Sequence, residues 1–145
     1  HGNGQQEIFY QRADVLTVSI HGHPSFAYPY FSGLKSETGE GPGTGFNLNF
    51  PLAEHCSVAD YQKTLQRALA QISAYRPDFL ILALGLDTAR GDPTGSWALN
   101  AADFHRNGVL ISGVKRPILV IQEGGYRTRT LGTNARHFFS GLIGA

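Results

Sequence analysis

The 145-residue sequence has one cysteine, no methionine, no long apolar run and almost no net charge. A single thiol, Cys56, cannot form an intrachain disulfide, so we expect a reducing compartment and a cytoplasmic location. The formal net charge of +1 argues against nucleic-acid binding, which needs clustered lysine and arginine. No apolar run has the length that spans a bilayer, which argues against a membrane protein.

The missing methionine and the first residue, His1, lead us to expect a processed chain or part of a longer protein. The length suits one domain or a portion of one. Residues 1–4 have neither the basic segment nor the apolar segment of a signal peptide.

Strand and helix patterns alternate along the chain. Apolar or alternating runs predict four strands, at 14–20, 46–50, 79–84 and 117–121. Helices are predicted within 1–12 and over 57–76, 101–114 and 128–143, with Asn107-Gly108 as a candidate break in the third. The apolar runs at 79–84 and 117–121 indicate strands buried on both faces. This order predicts an α/β fold with a parallel sheet and right-handed crossovers.

Polar side chains with catalytic potential follow three of these strands. They are Ser19, His21, Asp87, Asp92, Glu123 and Tyr126. In open parallel sheets the ligand site lies beyond the carboxyl ends of the strands, so one sheet would bring these residues together. Aspartate and histidine beside a tyrosine suit metal-assisted hydrolysis, in which a phenol donates a hydrogen bond to the developing oxyanion.

Several of these features also have a simpler structural interpretation. An aspartate at a strand end, such as Asp87, is a helix N-cap about as often as it is a functional residue. Asp92 before Pro93 is typical of a turn. Tyr126 after two glycines is more often a packing residue than a catalytic one. The glycine-rich segment 39–45 favours a tightly turned connection over a phosphate-binding loop, because no strand immediately precedes it and a proline interrupts it.

Four motifs together resemble the C-terminal half of a zinc deacetylase of the histone deacetylase and acetylpolyamine amidohydrolase family. They are HGNGQQEIFY (1–10), VLTVSIHG (15–22), LGLDTARGDPTG (84–95) and QEGGY (122–126). Their order and separations are similar to those of the family. The segment 19–52 looks more like bacterial acetylpolyamine amidohydrolases than like nuclear histone deacetylases.

The resemblance implies an arginase/deacetylase-like three-layer domain that is present only in its C-terminal part. Residues 1–145 would then be the C-terminal portion of a single zinc-deacetylase catalytic domain. The implied reaction is zinc-dependent hydrolysis of an N-acetyl amide, with an acetylated polyamine as the expected substrate. Two alternatives remain open: a histone-type lysine deacetylase, and a non-catalytic fragment that lacks the upstream zinc ligands.

Residue by residue, the resemblance makes Asp87 a zinc ligand and Tyr126 the tyrosine that holds the oxyanion. Tyr28, before Pro29, would form an aromatic wall of the acyl tunnel. Gly124 and Gly125 would let the backbone approach the site without a Cβ clash. Two potassium sites are also implied, one at Ser19 and Ile20 and the other at the carbonyls of Phe9, Arg12 and Val15.

The sequence departs from the family pattern in its zinc-binding residues. The family's Asp-x-His zinc pair and its tandem histidines have no counterpart here, so one of three zinc ligands is present and this chain alone is expected to be inactive. We also expect it to expose one side of its sheet. The expected partner is a small acetylated amine or an acetyl-lysine substrate, with no nucleic acid and no membrane, and assembly into a homo-oligomer is left open.

Overall fold

The computed structural model describes residues 1–144 and forms two compact units, His1–Cys56 and a second that begins at Ser57. Each unit contains helix and a pair of parallel strands. The predicted α/β class with parallel strands is therefore confirmed.

The first unit contains helix α1 (Asn3–Phe9) and strands β1 (Thr17–Gly22) and β2 (Asn47–Leu52), which pair in parallel. Strand β1 starts later than the predicted residue 14. It follows an exposed bend in which the Arg12 guanidinium donates two 2.6 Å hydrogen bonds to the Asp14 carboxylate.

Hydrogen bonds hold the long connection between β1 and β2. The Asn47 amide donates to the Glu37 carbonyl at 2.6 Å, and the Asn49 amide donates to the Leu34 carbonyl at 3.2 Å. A turn of 3₁₀ helix, Gly41–Gly43, lies within the glycine-rich segment. A Cβ on Gly43 would come closer than 3.0 Å to the backbone of 10–12, so this segment is the tight connection that was predicted.

The second unit alternates helices and strands. Its elements are α2 (Val58–Tyr75), β3 (Leu80–Leu84), α3 (Ala101–Ser112), β4 (Ile118–Gln122) and α4 (Thr128–Ile143). Strands β3 and β4 pair in parallel. None of the helices within residues 1–144 combines the length and the hydropathy needed to cross a bilayer.

The prediction that three strands share one sheet is wrong for the described residues, and so is the burial on both faces that was predicted for the runs 79–84 and 117–121. Strand β1 pairs with β2 and β3 with β4, giving two sheets of two strands each. Apolar side chains on one face of the β3–β4 sheet are 46–66% exposed: Ile81, Leu119 and Ile121. An apolar run makes a strand suitable for burial, but it does not supply the elements that cover it. The exposed face of the β3–β4 sheet agrees with the expectation that one side of the sheet is exposed.

Helices α3 and α4 pack closely at two glycines. A Cβ on Gly108 would come closer than 3.0 Å to the carbonyl oxygen of Phe138, and a Cβ on Gly141 would come equally close to that of His105. Gly108 therefore does not break α3, because it lies where the backbone of α4 passes. The helix starts with a capping box between Asn100 and Asp103.

We expect Gly141→Ala to lower the free energy of unfolding by about 1–3 kcal/mol, because a methyl group has no space beside the His105 carbonyl. Gly132→Ala is the matched control in the same helix, since no atom lies within 4 Å of its added Cβ. That control should leave stability unchanged or raise it by up to about 1 kcal/mol. Denaturant unfolding of both variants measures the difference, and equal stability would contradict the packing argument.

Candidate functional site

Asp87 lies just beyond the carboxyl end of β3, against the segment that follows β4. A Cβ on Gly124 would come closer than 3.0 Å to Asp87 Oδ2, and one on Gly85 would come closer than 3.0 Å to Oδ1. The Leu86 amide donates to the Gly124 carbonyl at 2.8 Å, which extends the contact between the two chain segments past the strands. Glycine at 124 thus lets the backbone run directly beside the carboxylate.

The Asp87 side chain is not a helix cap. The helix that follows, α3, is capped by Asn100, whose side-chain oxygen accepts from the Ala102 amide at 2.9 Å. Within residues 1–144 the Asp87 carboxylate has no hydrogen-bond or ion-pair partner, and it is partly exposed. The N-cap interpretation is therefore wrong, and the carboxylate oxygens are available to a ligand.

Tyr126 lies at the surface of the described residues. It is 57% exposed, which contradicts the packing interpretation. Gly125, immediately before it, has φ +141°, a conformation that a residue with a side chain rarely adopts. Glu123, the remaining residue of this strand end, is exposed, and its amide donates to the Leu84 carbonyl at 2.9 Å.

Asp92 connects the loop after β3 to the backbone of Tyr126. Its Oδ1 accepts from the Thr94 amide at 3.0 Å and hydroxyl at 2.9 Å, as the turn prediction requires. Its Oδ2 accepts from the amides of Tyr126 at 2.8 Å and Arg127 at 3.0 Å. Sequence reasoning missed this second pair of bonds, because the partners lie 34 and 35 residues away.

The Asp92 carboxyl is ionised at neutral pH. It is only 5% exposed, and burial raises its pKa. The hydrogen bonds from Thr94, Tyr126 and Arg127 together outweigh burial, so the pKa lies below its ordinary value of 3.8. The charge strengthens each of these hydrogen bonds.

Ser19 and His21 form a hydrogen-bonded pair in the first unit. Ser19 Oγ lies 2.6 Å from His21 Nδ1 and accepts from the Gly2 amide at 3.1 Å. His21 Nε2 lies 2.8 Å from the Gly33 carbonyl oxygen. Because a carbonyl oxygen only accepts, Nε2 of the neutral ring carries the proton and Nδ1 accepts from the Ser19 hydroxyl.

His21 should make stability depend on pH. Burial lowers the pKa of His21, and the Gly33 carbonyl offsets this only in part. The folded state therefore favours the neutral His21 ring. Its contribution to the free energy of unfolding is fully present above pH 6.5, the pKa in the unfolded chain. It is lost as the pH falls from 6.5 through the lower pKa of the folded state.

We expect the free energy of unfolding to decrease over that pH window, and His21→Gln, which retains a donor toward Gly33, should remove the decrease. His23→Gln, at a neighbouring histidine that bonds Ser25 locally, is the control and should keep it. Denaturant unfolding at several pH values is the measurement. The same slope in His21→Gln and in the parent protein would refute the assignment.

The other residues assigned by resemblance also lie in the first unit. Tyr28 is 71% exposed, and its ring packs edge-to-face on that of Tyr30 with centroids 6.4 Å apart. The Phe9 carbonyl accepts from the Arg12 amide at 2.9 Å, and Ile20 lies in the middle of β1. Val15 lies just before β1.

Asp87 is the described residue that could hold a metal ion at this strand end. Its carboxylate has no competing partner within residues 1–144, and oxygen ligands of this type suit zinc. Within residues 1–144, however, no three side chains of His, Cys, Asp or Glu converge on a metal-sized site. A catalytic zinc needs three protein ligands and an open position, so Asp87 fits as one ligand among others.

Comparisons with known proteins give a consistent result. The family described as "Histone deacetylase domain" matches residues 1–142. Acetylpolyamine amidohydrolase 2 of Pseudomonas aeruginosa is 46% identical over 144 residues, which are 99% of this chain and 42% of that protein. Histone deacetylase 15 of Arabidopsis thaliana is 36% identical over 99% of this chain and 27% of its own length.

The crystal structure of acetylpolyamine aminohydrolase from Burkholderia pseudomallei superposes with a TM-score of 0.96 at 44% identity, over 98% of this chain and 42% of that one. The predicted fold is therefore confirmed. The chain spans about two-fifths of the length of the acetylpolyamine amidohydrolases that it matches.

Proposed function

Because the chain belongs to the histone deacetylase family, we propose that it carries part of the active site of a zinc-dependent amidohydrolase that deacetylates acetylated polyamines. The polyamine assignment is supported by 46% identity to an acetylpolyamine amidohydrolase, against 36% to Histone deacetylase 15. A histone-type lysine deacetylase is the alternative within the same family.

One observation carries the proposal: the Asp87 carboxylate, which has no partner among the described residues, lies against Gly124, two residues before the exposed Tyr126. A metal-ligating oxygen and a phenol hydroxyl are thereby attached to neighbouring segments of the same unit. These are two of the groups that amide hydrolysis requires, one to hold the metal and one to stabilise negative charge on oxygen.

Each residue has a defined role in this reaction. Zinc, when bound, polarises the acetyl carbonyl and activates a water molecule. Asp87 holds the ion through its carboxylate, and the Tyr126 hydroxyl donates a hydrogen bond to the oxygen that becomes negative as the amide carbon turns tetrahedral. Gly124 keeps a side chain away from the space beside the carboxylate, whereas a Cβ on Gly125 would instead come closer than 3.0 Å to Leu131 Cδ1.

Tyr28 is proposed as a wall of the tunnel that holds the acylated chain. The residue is 71% exposed, and an aromatic ring is a flat apolar surface on which methylene groups can pack. The hydroxyl group makes such a wall more polar than phenylalanine would.

Potassium binding stays a prediction, at Ser19 and Ile20 and at the carbonyls of Phe9, Arg12 and Val15. The Ser19 hydroxyl donates to His21 Nδ1 and accepts from the Gly2 amide. One lone pair of Ser19 Oγ is left for a cation, which is compatible with a site completed by backbone carbonyls.

We propose that the other zinc ligands and the general-base histidine come from outside residues 1–145, because the acetylpolyamine amidohydrolases are more than twice as long as this chain. Residues 1–145 alone are then expected to be inactive. The second alternative, a non-catalytic protein, takes its support from the absence of a three-ligand cluster within residues 1–144.

The test is the hydrolysis of acetylated polyamines and acetyl-lysine peptides by the full-length product of the gene that encodes this chain. We expect a higher kcat/KM for the polyamines, lost on zinc chelation and restored by added zinc. A preference for the peptides would favour the lysine deacetylase. No hydrolysis of either substrate by zinc-loaded protein would overturn the proposal in favour of the non-catalytic alternative.

A further inference from the structure

We infer that Asp92 is a positioning residue for Tyr126: its carboxylate holds the backbone that carries the tyrosine and so sets the place of the phenol hydroxyl. The inference rests on the proposed function, in which that hydroxyl stabilises the oxyanion. Asp92 itself does not reach the reacting atoms, since it is buried and its oxygens are used by four donors.

Tyr126 depends on its backbone for its position. The residue is 57% exposed, so packing leaves much of it unrestrained. The two residues before it are glycines, which restrict the chain least. The hydrogen bond from the Leu86 amide to the Gly124 carbonyl fixes the chain before Gly125. The next hydrogen bond along the chain is the one from the Tyr126 amide to Asp92.

A second contact joins the loop after β3 to the segment that carries Tyr126. The Arg127 side chain donates from Nη1 to the Arg90 carbonyl, while its amide donates to Asp92. Gly91, between the two, has φ +72°, and a Cβ there would clash with the Arg127 guanidinium. The loop after β3 therefore contacts the segment after Gly125 in two ways: through the Asp92 carboxylate and through the Arg90 carbonyl.

The geometry requires a carboxylate in particular. One oxygen of Asp92 accepts from the Thr94 amide and hydroxyl, and the other accepts from the amides of Tyr126 and Arg127. Asparagine has a single acceptor oxygen. In either orientation its NH₂ group would face at least one backbone N–H, so it cannot satisfy all three amides.

Asp92→Ala in the full-length gene product removes both acceptor oxygens and should lower kcat about 10- to 100-fold, because a catalytic group displaced by about 1 Å loses rate on this scale. KM for the acetylated polyamine and zinc content should stay unchanged. Thr94→Val is the matched control: it removes one hydrogen bond to Oδ1 but keeps both bonds to Oδ2, and we expect kcat within about threefold of the parent.

A double-mutant cycle separates positioning from a general structural role. If Asp92 acts through the Tyr126 hydroxyl, Asp92→Ala should have little further effect on kcat once Tyr126→Phe has removed that hydroxyl. The same fold loss in both backgrounds would overturn the inference. So would an unchanged kcat in the folded Asp92→Ala single variant.

Amide hydrogen exchange provides a measurement that is independent of activity. The Tyr126 and Arg127 amides should exchange slowly in the parent protein and fast in Asp92→Ala. Fast exchange in the parent would overturn the inference even if Asp92→Ala fails to fold. Slow exchange in a parent protein that hydrolyses no acetylated amine would instead show that Asp92 holds the segment and that the proposed function is wrong.

Discussion

Asp87→Ala in the full-length gene product is expected to raise the zinc dissociation constant more than 100-fold and to abolish hydrolysis. Changes to groups that merely support a ligand already cost about 10- to 100-fold in metal affinity, and removing the ligand itself should cost more. The structure contains no substitute, since no three-ligand cluster forms within residues 1–144. Zinc content after dialysis, measured per folded protein, gives the result.

Asp78→Ala is the control for this experiment, because Asp78 is an exposed aspartate just before the opposite end of the same strand, β3. It should keep zinc and activity at the parent level. Retention of zinc by Asp87→Ala would refute the ligand role. Loss of zinc by both variants would mean that β3 as a whole, rather than the Asp87 carboxylate, is responsible.

Tyr126→Phe is expected to lower kcat by about 100- to 1,000-fold while zinc content and KM stay close to those of the parent protein. The substitution removes one hydrogen-bond donor to the developing oxyanion, and single donors of this kind have effects of that size. The ring is retained and the residue is 57% exposed, so stability should hardly change. Steady-state kinetics with an acetylated polyamine, together with a zinc assay, measure both quantities.

Tyr30→Phe serves as the control for Tyr126→Phe, since it removes the hydroxyl of another exposed tyrosine to which no catalytic role is assigned. We expect kcat to remain within about twofold of the parent. An unchanged kcat in Tyr126→Phe would show that the hydroxyl takes no part in the reaction. The two variants, Asp87→Ala and Tyr126→Phe, thus separate metal binding from oxyanion stabilisation by their zinc content.

The elements of the fold were predictable because their signals are local. Ser57 accepts a hydrogen bond from the Asp60 amide at 3.1 Å and starts α2 where the sequence places it. Strands β3 and β4 lie within one or two residues of the predicted runs. Periodicity, caps and turns depend on neighbours a few positions away, so they can be recognised without knowledge of the tertiary structure.

Burial and strand pairing were not predictable in the same way. Ile81 and Leu119 belong to apolar runs, yet both are more than half exposed. The run shows that a strand can be buried on both faces, whereas its burial depends on which other elements pack there. The pairing of β1 with β2 depends likewise on residues far apart in the chain, which a pattern along one strand does not record.

The sequence alone determined the kinds of group at the site and their family: a carboxylate after an apolar strand, at Asp87, and a phenol after two glycines, at Tyr126. The tertiary structure alone decided that Gly124 lies against the Asp87 carboxylate and that Asp92 binds the amide of Tyr126. These contacts join residues more than 30 positions apart, and they follow from the pairing of β3 with β4. No local pattern encodes that pairing, because it is set by the packing of the folded unit as a whole.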